Sequence, residues 1–247
     1  MKKYKVGIIG ATGMVGQRFA LLLSEHPWFD VTVLAASSRS AGVTYKEALG
    51  DRWCMTEPTP AKYLDMVVLD AEKDIEKIAS SVDFVFCAVN MSKEETKALE
   101  EKYAKAECPV VSNNSAFRMA DDVPMVVPEL NADHIKIIES QRKRLGTKRG
   151  FIAVKSNCSL QSYVPALFPL HEEYGVKDVL VCTYQAISGA GKTFETVCNK
   201  CRGKKQVKVE NEETYENAHC CGLSDRQCAN ICCLSMCTGC CDGMCNS

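Results

Sequence analysis

Short apolar runs alternate with stretches of helical periodicity through the first three quarters of the chain. The runs Lys5–Ile9, Val31–Ala35, Met66–Leu69, Asp83–Ala88, Pro109–Ser112, Phe151–Lys155 and Val179–Ala186 read as strands. Between them, Phe19, Leu22 and Leu23 lie at helical spacing, in a segment that stops near His26-Pro27. Ser92 and Glu95 form a capping box for a helix reaching about Lys105. Asn131 is a plausible N-cap for a further helix, which ends in the basic stretch Gln141-Arg142-Lys143-Arg144. A long helix starts near residue 159, where Pro165 and Pro169 are expected to kink or shorten it. Strands alternating with helices predict an α/β fold built from βαβ units.

Composition narrows the function classes. At 46% hydrophobic and 25% charged residues, the 247-residue chain has an ordinary globular balance, enough for one large domain or two modest ones. A net charge of -1 excludes the strong electrostatic footprint of a nucleic-acid or anionic-membrane binder. The basic stretch at 141–144 reads instead as a solvated helix end, where cations complement the dipole. No run of about 18 apolar residues is present to span a bilayer. Glycines at 7, 10, 13 and 16 interrupt what would be the core of a signal peptide after Met1-Lys2-Lys3, so a cytoplasmic protein is expected. Of 16 cysteines, eleven fall at 198–245, and composition changes near residue 197. The first part has the cysteine usage of a reducing-compartment enzyme, the second that of a disulfide or metal scaffold.

Two stretches carry candidate chemistry. Gly10-Ala11-Thr12-Gly13-Met14-Val15-Gly16 follows the first strand and opens the first helix. In that context the glycines let a pyrophosphate approach the backbone at a helix N-terminus. Gly10, Thr12, Gly13, Met14 and Val15 are therefore candidate cofactor-binding residues. At the end of the second strand an NAD site places an acidic residue for the ribose 2′-hydroxyl. Here Ser37, Ser38, Arg39 and Ser40 stand instead, a group suited to a 2′-phosphate, so NADP is the expected cofactor. The second stretch is Ser156-Asn157-Cys158-Ser159, between a buried-strand pattern and a helix start. A thiol at a helix N-terminus is placed for nucleophilic attack as the thiolate, or it is a small buried hydrophobe.

With these pieces placed, residues 1 to about 196 resemble the aspartate-semialdehyde dehydrogenases within the semialdehyde dehydrogenase family. The resemblance rests on the glycine-rich turn and on Ser37–Gly42, Asn113–Arg118, Val126–Glu129, Ser156–Ser159 and Gln185–Gly191, in that order along the chain. It implies a Rossmann-type NADP-binding domain over 1–150, then the beginning of an α+β substrate and dimerisation domain over 151–197. It also implies interconversion of L-aspartyl 4-phosphate and L-aspartate 4-semialdehyde through a cysteine thioacyl intermediate, on the route to lysine, threonine and methionine. By resemblance Cys158 is the nucleophile and Arg118 holds the phosphate, while Asn157 helps to place the substrate and Gln185 orients the intermediate. Ser188, Gly189 and Gly191 pass close to the nicotinamide half of the cofactor. The partners implied are small-molecule substrates and a second copy of the chain.

The resemblance ends near Glu195-Thr196. None of His26, His134, His171 and His219 stands in the family's general-base context, and Arg202 and Arg226 lack the surroundings of its carboxylate-binding arginine. No base is assigned, and slow turnover is expected. The tail 198–247 is too poor in Val, Ile, Leu and Phe to complete a sheet-and-helix core. Cys198-x-x-Cys201 and Cys237-x-x-Cys240 have zinc-pair spacing, but eleven irregularly spaced thiols also fit a frameshifted or mis-spliced segment, and no metal ligand is assigned. A reductase of N-acetylglutamyl phosphate and a catalytically silent NADP-binding module with a metal-binding tail are the alternative readings.

Overall fold

A computed structural model describes residues 2–182. Contacts divide the chain into a compact unit, Met1–Glu173, and a second unit, Tyr174–Ser247, of which only residues 174–182 are described. The first unit begins with β1 (Tyr4–Ile9), α1 (Met14–Leu23) and β2 (Phe29–Ala36), the predicted opening βαβ unit. The short helices α2 (Tyr45–Leu49) and α3 (Ala61–Leu64) lead to β3 (Leu69–Asp70), α4 (Ile75–Ser81) and β4 (Phe84–Cys87). Next come α5 (Lys93–Lys105), β5 (Val110–Ser112), β6 (Met125–Val126) and α6 (Pro128–Asn131). A 3-10 turn (Ala132–Ile137), α7 (Ile138–Leu145), β7 (Ile152–Lys155) and α8 (Cys158–Tyr174) follow.

The seven strands form one sheet in the order β3-β2-β1-β4-β5-β7-β6, with every pairing parallel. Alternate residues supply the two faces. Val6 and Ile8 of β1 join Leu34 of β2 and Ala20 and Leu23 of α1 in one buried cluster. Ile9, with Val33 and Ala35, joins Ile78, Leu99 and Tyr103 of α4 and α5 in the other. The expected α/β fold with a Rossmann-type sheet is thus met.

Several local expectations change. β7 belongs to this sheet, with Ile152 and Val154 buried in the α4–α5 core. Met66–Leu69 contributes only Leu69 to a strand. Asn131 ends α6 rather than capping a long helix. Its side chain turns back, accepting from the Val127 N–H at 2.7 Å and donating to the Met125 carbonyl at 2.9 Å. The Ser92–Glu95 capping box is present as expected, and α8 runs its full length through Pro165 and Pro169 without being shortened. Residues 179–182 form no strand. Residues 183–186 of that expected strand lie outside the described residues.

The basic stretch 141–144 is absorbed by the fold. Arg144 pairs with Asp122 and, at 2.9 Å, with Glu101, while Arg142 donates to the Arg149 carbonyl at 2.9 Å. Gln141 is fully buried. It donates to the carbonyls of Asp122 at 2.9 Å and Ile152 at 3.0 Å and accepts from the Ile152 N–H at 2.6 Å, fastening α7 to β7. Gln141→Leu orphans the buried N–H and carbonyl of Ile152 and the partly buried carbonyl of Asp122, so a loss of about 2–4 kcal/mol is expected in urea unfolding. Lys143→Ala, on the exposed side of the same helix, should stay within about 0.5 kcal/mol of the parent. Equal stabilities would overturn the assignment of Gln141 as this fastening.

Candidate functional site

The strand order reverses between β1 and β4, and in open parallel sheets ligands bind outside the carboxyl ends of the strands at such a point. A cleft of about 570 Å³ lies there, lined by the turns that leave β1, β2, β3 and β4. Gly10, Thr12 and Gly13 form one wall, and Ser37, Arg39 and Ser40 another. Two glycines are required by close approach. A Cβ on Gly10 would lie 2.5 Å from the Ala88 carbonyl oxygen, and one on Gly16 only 2.1 Å from that of Gly10. Gly13 precedes α1 with extended backbone and no side-chain cap, so the first N–H groups of the helix face whatever occupies the cleft. Of the other candidates, Met14 and Val15 open α1 and Ser38 is exposed in the turn after β2; none of the three lines the cleft.

Sequence reasoning missed Arg52, Glu72 and the segment from Ala88 to Met91, all of which line the cleft. The last of these had a usable signal, since β4 is the neighbour of β1 in a doubly wound sheet. Arg52 had none. The buried Gln17 brings its loop in, donating to the Thr12 carbonyl at 3.0 Å and the Arg52 carbonyl at 2.9 Å and accepting from the Cys54 N–H at 2.9 Å.

The second candidate centre lies on the same edge of the sheet, after β5 and β7. Cys158 is the first residue of α8 and is exposed. Asn157 caps the helix, its Oδ1 accepting from the Ser159 N–H at 2.8 Å. Arg118 reaches across from the β5–β6 connection, donating from Nε to the Lys155 carbonyl at 3.1 Å and from Nη2 to the Asn113 carbonyl at 3.3 Å. Burial lowers the Arg118 pKa from its ordinary value, and interaction with Cys158 opposes the change. Lys155, also missed from the sequence, is half-buried beside them. Burial and then the Arg118 charge lower its pKa, against the raising influence of Cys158. The structure therefore brings Cys158, Arg118 and Asn157 together and adds Lys155. Gln185, Ser188, Gly189 and Gly191 lie outside the described residues, as do His219, Arg202, Arg226 and every cysteine of the tail.

Fold and site define a nucleotide-binding α/β protein with an exposed cysteine set among cations at the carboxyl edge of its sheet. Residues 5–138 match the family model of the semialdehyde dehydrogenase NAD-binding domain, and the chain belongs to that family. It is 43% identical over 191 residues to the aspartate-semialdehyde dehydrogenase of Archaeoglobus fulgidus, an alignment covering 76% of this chain and 52% of that protein. With the Candida albicans enzyme of the same name it shares 42% identity over 196 residues, or 77% of this chain and 52% of the other. A crystal structure of the Candida albicans enzyme with NADP is similar at a TM-score of 0.62 and 41% identity, covering 71% of this chain and 48% of that one. The chain thus spans about half the length of the curated relatives it matches.

Burial separates the thiols of the first unit. Cys87 is fully enclosed and its pKa is pushed well up, while that of Cys108 is pushed up to about 12, in both cases chiefly by desolvation. At pH 8 a thiol of pKa 12 is thiolate in about one molecule in ten thousand. Brief iodoacetamide treatment at pH 8 followed by mass-spectrometric mapping should therefore label Cys158 at least 100-fold faster than Cys87 or Cys108. Labelling of either buried thiol ahead of Cys158 would remove the basis for a nucleophile.

Proposed function

We propose that this chain carries the cofactor-binding and nucleophilic parts of an NADP-dependent aspartate-semialdehyde dehydrogenase. The reaction is interconversion of L-aspartyl 4-phosphate and L-aspartate 4-semialdehyde, within lysine, threonine and methionine biosynthesis. The observation that carries the reading is the placement of Cys158, exposed at the start of α8 beside Arg118, on the same sheet edge as the glycine-walled cleft. The names of the relatives supply the substrate.

The residues of the cleft fit a dinucleotide. The uncapped start of α1 suits the pyrophosphate, the close packing at Gly10 and Gly16 keeps the turn tight, and Ser37, Arg39 and Ser40 suit a 2′-phosphate. When bound, NADPH supplies the hydride that reduces the acylated enzyme. The chain's own part begins with Cys158, whose thiolate attacks the acyl carbon of the substrate. The C–S bond forms, the C–O bond to phosphate breaks, and phosphate leaves with the electron pair. Arg118 holds the phosphate with a charge-assisted fork, and Asn157 places the substrate while fixing the first turn of α8. Gln185 orients the thioacyl group, and Ser188, Gly189 and Gly191 border the nicotinamide. The partners on this reading are the small-molecule substrates and a second copy of the chain, in the cytoplasm. Among the described residues no helix is long and apolar enough to cross a membrane.

Two measurements test the proposal. In fluorescence titrations NADPH should bind more tightly than NADH. Arg39→Ala should weaken NADPH about tenfold and leave NADH unchanged, the low end for a hydrogen bond to a charged group because Arg39 is exposed. Equal affinities in the parent chain would rule out the 2′-phosphate assignment. For turnover, aspartate semialdehyde, phosphate and NADP should yield NADPH at 340 nm in a phosphate-dependent reaction that Cys158→Ala abolishes. Product formation undiminished in that variant would exclude the thioacyl route.

A further inference from the structure

Lys155 ends β7 and is separated from Cys158 only by Ser156 and Asn157. Its carbonyl accepts the Nε–H of Arg118 at 3.1 Å, and its Nζ donates to the Ser156 carbonyl at 3.1 Å. The backbone entering α8 thus pins two cationic side chains from different parts of the chain. Arg118 is held further by the Asn113 carbonyl at 3.3 Å. All of these bonds go to neutral carbonyls, and among the described residues neither cation pairs with a carboxylate. Two like charges, both half-buried, repel each other and have lost part of their hydration. The shifts at both residues have this origin: burial lowers each, Arg118 lowers Lys155 further, and a negative Cys158 opposes both. An anion against such a pair relieves both the repulsion and the lost hydration.

We propose that Lys155 is a second anion-binding residue of the Cys158 centre, acting with Arg118 on the phosphoryl group of an acyl-phosphate substrate; this rests on the reading of Cys158 as the nucleophile. The two cations divide the work by shape. The planar guanidinium fixes the orientation of the phosphoryl oxygens, and the ammonium follows the charge as a mobile point. During acyl transfer the negative charge on Cys158 is consumed as the C–S bond forms. One unit appears on the departing phosphate as the C–O bond breaks. On this proposal the charge moves within the field of the same two cations.

The test uses the full chain and inorganic phosphate as the probe. Rates of Cys158 alkylation by anionic iodoacetate and neutral iodoacetamide are measured by mass spectrometry across a phosphate titration, with sodium chloride as the ionic-strength control. Phosphate should slow alkylation of the parent. In Lys155→Met the half-protecting phosphate concentration should rise about tenfold and the iodoacetate-to-iodoacetamide rate ratio should fall, while Lys155→Arg restores most of both. Lys155→Gln serves if the Met variant does not fold, as judged by its melting transition. Unchanged protection and ratio in Lys155→Met, with protection lost in Arg118→Met, would overturn the role of Lys155 and leave the proposed reaction standing. No protection of the parent by phosphate would overturn the anion site itself, and the Cys158-dependent NADPH assay then decides separately whether the reaction survives.

Discussion

A parallel sheet sends the carboxyl end of every strand to one edge, and both candidate centres depend on that alignment. The register makes the dependence concrete. Ile9 lies opposite Cys87, Cys87 opposite Ser112, and Ser112 opposite Val154, one level row across four strands. The residues next beyond that row are Gly10, Ala88, Asn113 and Lys155, the last of them closing β7, and they lead into the cleft walls and the segments carrying Arg118 and Cys158. Slipping any one strand by a residue would reverse its faces and retract its turn from the edge.

Buried polar groups hold that edge. Asn113 donates its N–H to the Cys87 carbonyl at 2.8 Å, tying the Arg118 connection to the strand that ends at the cleft. Beneath it the carboxyl of Glu100 is almost wholly enclosed, its Oε1 accepting from Ser112 Oγ at 2.5 Å and Asn114 Nδ2 at 2.9 Å. Desolvation raises its pKa, partly offset by those bonds, and Oε2 has no partner among the described residues. Burial thus works against the charged form of this carboxyl, and the bonds from Ser112 and Asn114 work for it. Gln17 does the same kind of work on the other side of the cleft, joining the glycine turn to the Arg52–Cys54 loop. It lies with Gly16, Ala20 and Leu23 among the buried residues of α1, and nothing local in the sequence distinguishes it from a solvated glutamine.

The elements that were misread share one cause. The apolar run at Val179–Ala186 has strand composition, yet composition supplies no partner, and its described residues 179–182 form no strand. Asn131 has the residue type of an N-cap, but its amide competes for the Met125 carbonyl and the Val127 N–H, and that local loop takes it. The run 151–155 was correctly read as a strand. Its membership in the first sheet follows from long-range pairing with β5 and β6 and from Gln141, none of which periodicity reports.

What the sequence by itself determined was local: the opening strand–turn–helix, the hydroxyl and arginine group after β2, the capping box at Ser92 and the helix start at Cys158. Each follows from residue types within a few positions of one another, where sterics, capping and the 2.0 and 3.6 periods act directly. Only the tertiary structure decided that Arg118 and Lys155 converge on Cys158, and that Arg52, Glu72 and Asn90 complete the cleft. These groups are up to tens of residues apart in the chain. They meet because parallel pairing aligns strand ends that the sequence can mark but cannot order, and strand order is set by burial on both faces of the sheet.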